Sequence, residues 1–539
     1  MHEFIEVPTL PDLLVRTCSQ HGDRPAISVD ATTRSFDELL GRASLVARGL
    51  AALGVRGGTR VGLYMPNSLH FVEYMFAASM LGAVVVPINN RFRARELLHV
   101  QTDAQLAVIV TVAVRSEVAD HPARLRRLLD DLPAGAPRPV VIVADAQAGP
   151  DGTMGAAELA ARAQQTGPQQ VENARARIRL RDLAAILYTS GTTAMPKGCL
   201  HTHEALVRNG IVTGRTRFAL TEQDRFWDPL PMFHVSFLTP LIACIDAGTQ
   251  ILSMARFEPE LALDMMESQR VTWVFASFQA IARALTGAGS FGHRNLSSVR
   301  MSMCVGHTPE LREFQQAFPQ AQLLSTYGST ETGGVITYHE AGATAEERVS
   351  TCGTPFRGVQ LAIKDLESER RLGPEEIGEI LVHGYSVLDG YLNDPGTTGA
   401  AIDEHGWLHT GDLGELTGGG HLIFHGRLKD MIKVGGENVS AAEVEAVLTE
   451  HPAVLVAHVV AAPDARLDEV VAAFVELVPG QPAAEAELAA HCASQIAGYK
   501  VPRYFRFVTE WPMSATKVRK EDLRDRIRTE LLAAAEKPT

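Results

Sequence analysis

The chain has 539 residues, more than a single domain of roughly 100–200 residues accounts for, so several hydrophobic cores are expected. Its net charge of -13 at pH 7 makes a polyanion such as nucleic acid an unfavourable partner. Hydrophobic residues make up 46% and charged residues 21% of the chain, which is enough apolar material to fold and excludes a disordered protein.

Cysteine usage and the N-terminal segment indicate a reducing compartment. The six cysteines form no CxxC pair, so neither a disulfide framework nor a zinc site is predicted. Glu3 and Glu6 stand where a secretory signal would be basic. The longest apolar run, Tyr74 to Val86, is shorter than the roughly 20 residues that span a bilayer. We therefore expect a cytoplasmic protein with no membrane contact.

The first part of the chain alternates between helical and strand patterns, which is typical of a parallel α/β sheet. The predicted helices are Phe36 to Leu53 and Leu69 to Leu81, and the predicted strands are Val61 to Tyr64, Ala83 to Val86 and Ala107 to Thr111. Glycines and prolines are dense over residues 131–175, which predicts a loop-rich connection around one strand, Val140 to Val143.

Apolar strand patterns return after this connection, with enough chain between them for crossover helices. They are Ala184 to Tyr188, Gln250 to Leu252, Trp273 to Ala276 and Leu323 to Ser325. One large α/β region is therefore predicted to reach at least residue 335. From Val359 to Phe424 the segments are short and punctuated by glycine, which predicts a small barrel or a twisted antiparallel sheet.

The composition changes again after Lys429, and we expect two domains, residues 1–428 and 429–539. Ser440 and Glu443 form a predicted capping box that opens the helix Ala441 to His451. The remaining predicted elements are the strands Val454 to Val460, Val470 to Val478 and Tyr504 to Val508, a helix near Ala483 to Ile496 and a terminal helix from Glu521.

The most informative segment is Leu187-Tyr-Thr-Ser-Gly-Thr-Thr-Ala-Met-Pro-Lys-Gly198, which directly follows a predicted strand. Its hydroxyls, glycine amides and single lysine suit the binding of phosphate oxygens, and a nucleoside triphosphate is the natural ligand. The spacing is not that of a Walker A loop, because Lys197 precedes the second glycine. The alternative interpretation is a solvated turn rich in serine and glycine.

Three further segments favour the nucleotide interpretation. Ser325-Thr-Tyr-Gly-Ser-Thr-Glu-Thr-Gly-Gly334 supplies an aromatic ring, hydroxyls and a carboxylate that suits Mg²⁺. Gly406-Trp-Leu-His-Thr-Gly-Asp412 places in a turn a carboxylate that can accept two hydrogen bonds from a ribose diol. Gly426-Arg-Leu-Lys-Asp-Met-Ile-Lys-Val-Gly-Gly436 combines cations with glycines at the predicted domain boundary.

In this order and at these separations, the four segments resemble the ANL superfamily of adenylate-forming enzymes, in its acyl-CoA synthetase branch. The resemblance covers nearly the whole chain. It implies an acetyl-CoA synthetase-like fold of mixed α/β and α+β class: a large N-terminal domain of stacked α/β subdomains with a small β-barrel-like subdomain, and a small mobile C-terminal domain. It also implies a two-step reaction with ATP, Mg²⁺ and coenzyme A, in which a carboxylate becomes acyl-AMP and the CoA thiol then displaces AMP.

The resemblance assigns a role to individual positions. Lys517 matches the lysine that acts in adenylation, Lys433 matches the face that acts in thioester formation, Lys429 is the hinge, Thr330 contacts the α-phosphate and Glu331 binds Mg²⁺. The nucleotide and CoA positions are Thr189, Ser190, Gly191, Thr192, Thr193, Lys197, Gly306, His307, Thr326, Tyr327, Gly328, Asp412, Arg427, Gly435 and Gly436. Tyr327 is expected near adenine, and Asp412 with Arg427 at the ribose.

The acyl pocket is predicted from position alone. Its expected lining is His234, Val235, Phe237, Ser277, Val305, His307, Gly333 and Gly334. None of these residues is an aspartate that would pair with an amino acid's ammonium group, so a neutral hydrophobic acid of aryl, alicyclic or longer-chain type is expected.

Three alternatives remain open at the level of sequence. The nearest is an enzyme that only forms the adenylate and passes it to an acyl carrier protein or to a separate partner. A luciferase-like monooxygenase and a non-catalytic nucleotide-binding regulator are the others. The family resemblance is compatible with a homodimer, and the partners expected besides ATP and CoA are a small carboxylic acid and, in the first alternative, the carrier protein.

Overall fold

We describe a computed structural model of the protein that covers residues 6–113, 120–133, 135–149, 152–189, 195–435, 437–464, 466–513 and 518–535. Its strands are β1 Pro25–Val29, β2 Thr32–Ser35, β3 Arg60–Leu63, β4 Val84–Pro87, β5 Val108–Thr111, β6 Val140–Val143, β7 Met154–Gly155, β8 Leu183–Thr189, β9 Lys197–Thr202, β10 Arg225–Trp227, β11 Gln250–Ser253, β12 Trp273–Phe278, β13 Met301–Val305, β14 Gln322–Leu324, β15 Thr326–Ser329, β16 Gly334–Tyr338, β17 Thr354–Pro355, β18 Val359–Lys364, β19 Gly378–Gly384, β20 Leu408–Leu416, β21 Leu422–Arg427, β22 Met431–Val434, β23 Glu437–Ser440, β24 Val454–Asp464, β25 Asp468–Leu477 and β26 Tyr504–Phe507.

The helices separate these strands along the chain. They are α1 Leu10–His21, α2 Phe36–Ala52, α3 Leu69–Met80, α4 Ala94–Ala104, α5 His121–Asp131, α6 Ala156–Ala163, α7 Pro168–Arg175, α8 His203–Val212, α9 Val235–Ala247, α10 Pro259–Ser268, α11 Gln279–Thr286, α12 Thr308–Ala317, α13 Ala345–Ser350, α14 Pro395–Ala401, α15 Ala441–Thr449, α16 Glu485–Ala493 and α17 Lys520–Ala535. Within the described residues, no helix has both the length and the apolar character needed to cross a membrane.

Two seven-stranded sheets make up the first α/β region, as the alternating pattern predicts. Their strand orders are β14-β13-β12-β10-β11-β1-β2 and β7-β6-β5-β3-β4-β8-β9. In each sheet one edge strand, β2 or β9, runs antiparallel to its neighbour, and the other pairs are parallel. Parallel pairs buried on both sides explain the uninterrupted apolar strands such as β4, in which every residue is buried.

The helices α2, α3, α8 and α9 contribute side chains to the same core as both sheets, which holds the two layers together. Phe36, Phe76 and Phe237 are fully buried in that core. Burial of aromatic side chains of this size is worth roughly 2–3 kcal/mol each, so the seam between the two sheets is a large source of stability. The site described below lies where strands leave these layers.

Residues 131–175 contain more regular structure than the prediction of a loop-rich connection allowed, and that prediction is wrong for its second half. Helix α6 begins after Gly155, and α7 carries Pro168 in its first turn. A proline there loses no helical hydrogen bond, since the first N–H groups of a helix have no partner within it. Glycine and proline mark the starts of these two helices rather than a loop.

The segment after residue 354 contains a four-stranded antiparallel sheet in the order β18-β19-β20-β21, next to a three-stranded sheet of β15, β16 and β17. The C-terminal unit is a separate sheet in the order β23-β22-β25-β24, with β26 parallel to β25. Helices α15 and α16 contribute to one core of this unit and α17 contributes to a second.

The predicted capping box at Ser440 is half correct. The Ser440 hydroxyl accepts from the Glu443 amide at 3.4 Å and donates to the carbonyl of His425 at 2.6 Å. The Glu443 carboxylate does not return to the Ser440 backbone, because it binds Lys500 Nζ at 2.7 and 2.9 Å. A full positive charge on a neighbouring element competes successfully with a backbone amide for this carboxylate.

Candidate active site

The predicted phosphate-binding loop connects two antiparallel strands. Thr189 ends β8, Lys197 begins β9, and the two residues lie opposite each other in the pairing register. Lys197 Nζ lies over the ring of Tyr391, 5.5 Å from its centre. The predicted loop residues Ser190, Gly191, Thr192 and Thr193 lie outside the described residues.

The strand that leaves this loop is bonded along both edges. On one side β9 pairs with β8, and on the other Leu200 donates to the carbonyl of Gly390 at 3.0 Å while Leu392 donates to the carbonyl of Gly198 at 2.8 Å. These bonds bring residues 389–392 from the last part of the N-terminal region to the phosphate loop. Tyr391 is thereby placed beside Lys197.

Glu331 is held by the same tyrosine. The Tyr391 hydroxyl donates to Glu331 Oε1 at 3.1 Å, and the Glu331 carbonyl accepts from the Leu388 amide at 2.9 Å. Burial and the negative charge of Glu331 raise the pKa of Tyr391, so its hydroxyl remains a donor at neutral pH. Thr330 and Glu331 form a short 3₁₀ turn that directly follows β15.

Close backbone approach fixes the course of this turn. A Cβ atom on Gly328 would lie 2.2 Å from the carbonyl oxygen of Gly334, so only glycine fits between β15 and β16. The Thr326 hydroxyl donates to the carbonyl of Thr337 at 2.5 Å, on the partner strand. The predicted positions Thr326, Gly328 and Thr330 are therefore parts of one rigid hairpin.

Tyr327, Asp412 and Arg427 come together from three separate strands. The Tyr327 hydroxyl donates to Asp412 Oδ2 at 2.8 Å, and Arg427 Nε lies 3.4 Å from Asp412 Oδ1. Burial and the neighbouring Asp412 charge raise the pKa of Tyr327 well above its ordinary value, so the hydroxyl stays protonated. The Tyr327 ring centre lies 5.8 Å from that of Phe424, a half-exposed residue.

The predicted acyl-pocket residues lie at the ends of secondary-structure elements. His234 caps α9, its Nδ1 accepting from the Ser236 amide at 3.2 Å, while Val235 and Phe237 in the first turn of that helix are buried. Ser277 sits at a bulge of β12 with φ of 58°, a conformation that a residue with a side chain adopts only under strain.

The other predicted pocket residues include two glycines that have positive φ. Gly333 and Gly334 have φ of 64° and 107°, and a Cβ atom on Gly334 would lie 2.5 Å from Thr239 Oγ1.

The turn before α12 is also tightly packed, because a Cβ atom on Gly306 would meet the side chain of Gln279 at 2.1 Å. His307 caps α12, and its amide donates to Glu310 Oε2 at 2.9 Å. Gln279 donates to the carbonyl of Val305 at 3.3 Å, close to this turn.

The predicted hinge residue Lys429 lies on a short 3₁₀ turn, and the predicted positions Lys433 and Gly435 lie on the hairpin that follows. Burial lowers the pKa of Lys429, whose Nζ is 4.0 Å from Glu521 Oε1. Lys433 is exposed on β22, and Gly435 has φ of 60° where that hairpin turns. Gly436 and Lys517 lie outside the described residues.

The residues of this site fit Mg²⁺ bound together with a nucleotide better than a metal ion bound by protein side chains alone. Among the described residues, no group of three or more histidine, cysteine or carboxylate side chains could hold a metal ion. Mg²⁺ in nucleotide sites is typically held by one or two carboxylates together with substrate phosphates. Glu331, which Tyr391 links to Lys197, would supply one such carboxylate.

Two residues of this site escape prediction from sequence. Tyr391, which joins Lys197 to Glu331, stands in a segment whose only signals are turn residues, Gly390 before it and Asn393 after it. Glu379 contacts the turn before Asp412, yet it is an ordinary charged residue in a strand pattern. No motif marks either one, because their roles depend on pairing between distant strands.

Comparison with known proteins places the whole chain in one family. The sequence profile of the AMP-binding enzyme family matches residues 14–392, and that of the AMP-binding enzyme C-terminal domain matches residues 443–520. A Mycobacterium tuberculosis CoA ligase named for a methyl-dioxo-octahydro-indenyl propanoyl group is 33% identical over 96% of this chain and 99% of its own length. 4-coumarate-CoA ligase 1 of Narcissus pseudonarcissus is 32% identical over 95% of this chain and 92% of its own.

Solved structures agree on the fold. ATP-bound MatB from Rhodopseudomonas palustris superposes with a TM-score of 0.84 at 27% identity, covering 96% of this chain and 98% of that one. The o-succinylbenzoate CoA synthetase of Bacillus subtilis, in complex with its acyl-adenylate intermediate, superposes with a TM-score of 0.80 at 26% identity, covering 99% of both chains. The predicted acetyl-CoA synthetase-like fold is confirmed. The chain belongs to the AMP-binding enzyme family of adenylate-forming proteins and is an acid-thiol ligase of the AMP-forming type.

Proposed function

We propose that the protein activates a hydrophobic carboxylic acid with ATP and transfers the acyl group to coenzyme A. In the first step a carboxylate oxygen attacks the α-phosphorus of ATP, the bond to the bridging oxygen breaks, and pyrophosphate leaves. In the second step the CoA sulfur attacks the acyl carbon, the bond to the AMP oxygen breaks, and the thiol proton is released to solvent. Aryl, alicyclic and medium- or long-chain acids are the proposed substrates.

One observation carries this proposal: four sequence segments predicted to bind a nucleotide are linked by side-chain contacts. Lys197 contacts Tyr391, which donates to Glu331, and Glu331 lies four residues after Tyr327, which donates to Asp412. Asp412 in turn pairs with Arg427 of the fourth segment. A phosphate-binding cation, a carboxylate and a buried tyrosine-aspartate pair therefore stand in the order expected along a nucleotide, from γ-phosphate to ribose.

Each group has a distinct proposed task. Lys197 and the loop before it hold the β- and γ-phosphates, Thr330 contacts the α-phosphate, and Asp412 accepts from the ribose hydroxyls. Glu331 would hold Mg²⁺, which when bound offsets phosphate charge. Lys517 is proposed to stabilise the charge that develops between the attacking carboxylate and the α-phosphate.

The two half-reactions are assigned to two positions of the C-terminal domain. We place the boundary between residues 428 and 429, so that Lys429 is the hinge. Lys517 acts at the site during adenylation, and Lys433 with Gly435 and Gly436 faces the site during thioester formation. A rotation of this kind lets one small domain supply different groups to successive steps.

The substrate class rests on the pocket and on the relatives. The predicted lining contains apolar residues, glycines, one serine and two histidines, with no carboxylate to hold an ammonium group. Relatives that share about a third of the sequence are named for an aryl acid, 4-coumarate, and for a bicyclic propanoyl group. A bulky, uncharged ring next to the reacting carboxylate suits this lining best.

The test is a panel of acids assayed separately for pyrophosphate release and for CoA-dependent AMP formation. The panel contains 4-coumarate, 3-phenylpropanoate, a bicyclic alicyclic propanoate and decanoate, with phenylalanine as a control that differs from 3-phenylpropanoate by its ammonium group. We expect turnover of at least one hydrophobic acid and none of phenylalanine. Preference for phenylalanine would contradict the proposed substrate class.

Omission of CoA separates the proposed reaction from its nearest alternative. If pyrophosphate is released but AMP never forms when CoA is added, the enzyme makes only the adenylate and hands it to a carrier protein or another partner. Oxygen consumption measured in the same reactions distinguishes a monooxygenase. No pyrophosphate release with any acid would contradict the adenylation step itself.

A further inference from the structure

Strand β20 has a bulge at the turn that carries Asp412. In the pairing of β19 with β20, Glu379 lies opposite Leu413 and Leu381 lies opposite His409, so three residues of β20 face one residue of β19. Residues 410–412 form the bulge, and Gly411 within them has φ of 68°. Such a bulge frees backbone groups from the ladder and redirects the side chain that follows.

Glu379 binds the bulge with one carboxylate oxygen and the residue before the bulge with the other. Its Oε1 accepts from the Gly411 amide at 3.1 Å, and its Oε2 lies 3.0 Å from His409 Nδ1. On its other side, His409 Nε2 is 3.8 Å from Asp403 Oδ2. The Glu379 side chain is only 13% exposed, so its hydrogen bonds face little competition from water.

Hydrogen bonds of Thr410 connect the bulge to the neighbouring strand and to Asp412. The Thr410 hydroxyl donates to the carbonyl of Ile380 at 2.7 Å and accepts from the Asp412 amide at 3.1 Å. The Asp412 carboxylate then accepts from Tyr327. Every residue from 409 to 412 is thus held by a hydrogen bond to its side chain or its amide, and the Gly411 amide depends on Glu379.

We propose that Glu379 is a positioning residue for nucleotide selection, because it fixes the bulge that aims Asp412 at the ribose hydroxyls. The hydrogen bonds of Glu379 go to the Gly411 amide and to His409, on the turn that carries Asp412. We therefore expect Glu379 to act on the ribose through the position of Asp412. This inference rests on the proposed role of Asp412 at the ribose.

The chain provides a matched control on the same sheet. Glu415 Oε1 lies 3.0 Å from His425 Nε2, and the Glu415 side chain is 17% exposed. This pair has the same distance as the Glu379-His409 pair and a similar burial, but no described hydrogen bond joins it to the bulge. A loss that came only from breaking a glutamate-histidine pair would appear equally in both.

The experiment compares ATP with 2′,3′-dideoxy-ATP in the pyrophosphate-release assay, at saturating acid. The ratio of kcat/KM for the two nucleotides measures the preference for ribose hydroxyls. We expect Glu379→Ala to lower this preference by about fivefold or more, chiefly through the KM for ATP, since a displaced hydrogen-bonding group loses most of its effect. Glu379→Gln, which keeps one acceptor, should have a preference between those of the wild type and Glu379→Ala. Glu415→Ala should have the preference of the wild type.

The variant Asp412→Asn distinguishes a failure of the positioning role of Glu379 from a failure of the ribose assignment of Asp412. If Asp412→Asn abolishes the hydroxyl preference while Glu379→Ala retains it in full, the positioning role is overturned and the ribose site stands. If the wild type has no such preference, both the ribose assignment and this inference are overturned. Should Glu379→Ala fail to fold, as judged by its melting temperature, an unchanged preference in Glu379→Gln overturns the role.

Discussion

The hydroxyl of Tyr327 supports Asp412, the residue proposed to contact the ribose. It is buried, neutral and 2.8 Å from the Asp412 carboxylate, which is itself 6% exposed. A buried carboxylate that loses a donor must recruit water or turn away, at a cost of roughly 1–3 kcal/mol. Tyr327 is therefore one of the groups that hold Asp412 in place, together with Arg427 and the Thr410 hydroxyl.

Tyr327→Phe should raise the KM for ATP by about tenfold with a smaller change in kcat, because the lost donor supports a carboxylate that is used in binding. Steady-state kinetics with varied ATP measures both quantities. Tyr64→Phe is the control, since the Tyr64 hydroxyl is also buried and donates at 2.8 Å, to the carbonyl of Phe92. An equal rise in KM in both variants would contradict a specific role for Tyr327.

Glu331→Gln should reduce adenylation and shift the Mg²⁺ dependence to higher concentration, because the amide keeps the shape but loses the charge that attracts the ion. Added Mg²⁺ should restore part of the rate. Tyr391→Phe removes only the hydroxyl that donates to Glu331 and should shift the Mg²⁺ curve less. A Mg²⁺ titration that is unchanged in Glu331→Gln would show that the ion is held elsewhere.

Two glutamates of α15 form ion pairs with lysines on other elements of the C-terminal unit. The two pairs differ strongly in burial. Glu445 is buried, with Oε1 2.6 Å from Lys520 Nζ and 2.6 Å from the amide of Val459. Burial alone would raise the pKa of Glu445, but Lys520 and His458 lower it to about 2. The other pair, Glu443 with Lys500, leaves the glutamate side chain 40% exposed.

Lys520→Ala should destabilise the contact between α15, β24 and α17 by about 3 kcal/mol, because it leaves a buried carboxylate without its cation. Lys500→Ala should cost less than about 1 kcal/mol, since exposed pairs are screened by solvent. Hydrogen exchange at the Val459 amide in the intact protein measures the difference. Equal exchange in the two variants would contradict the buried pair as a local source of stability.

The same pair gives a pH dependence with a definite sign. The pKa of Glu445 is lower in the folded protein than the ordinary value of 4.5, so ionisation stabilises the fold above that pH. The contribution is lost as the pH falls from about 4.5 towards 2. The protection factors of the β24 amides, which compare each exchange rate with that of an unfolded chain at the same pH, should therefore fall over this range in the wild type.

Elements and site residues differ in how far sequence predicts them. The Tyr327 to Glu331 segment and the segment around Asp412 could be singled out from sequence because each concentrates reactive side chains in a few adjacent residues, and their roles stay predictions. The same holds for the phosphate loop, of which residues 190–194 lie outside the described part of the chain. Tyr391 and Glu379 were not, since each acts through a strand pairing that no local pattern encodes. Helices α6 and α7 were missed because glycine and proline mark helix starts as well as loops.

At the scale of the whole molecule, the central prediction is that two lysines of the C-terminal domain serve different steps. Lys433→Ala should spare pyrophosphate release and slow thioester formation, while Lys517→Ala should lower adenylation by about 10²- to 10³-fold and affect transfer from acyl-AMP much less. Single-turnover rates from acid plus ATP, and from purified acyl-AMP plus CoA, separate the steps. A reversed pattern would mean that the two faces are exchanged.

Lys429→Pro tests the hinge without removing either lysine. Proline fixes φ near -65° and removes a backbone donor, which should hinder rotation and slow the second step. In the wild type, the Lys429 carbonyl accepts from Arg524 at 3.2 Å, so the turn is bonded to α17 of the C-terminal unit. A wild-type rate for transfer of acyl-AMP to CoA in this variant would contradict the hinge assignment.

The position of β1 in its sheet has a consequence for how the chain is made. β1 pairs with β11, and the Ser28 hydroxyl accepts from the Gln250 side chain, 222 residues further along. At roughly 5–20 residues per second, a ribosome needs on the order of ten seconds or more to supply that partner. Until then β1 and β2 are a hairpin without a sheet, and such a pair has marginal stability in water. Synthesis, rather than intrinsic folding speed, therefore sets the earliest moment at which the first strands of this enzyme become part of a native layer.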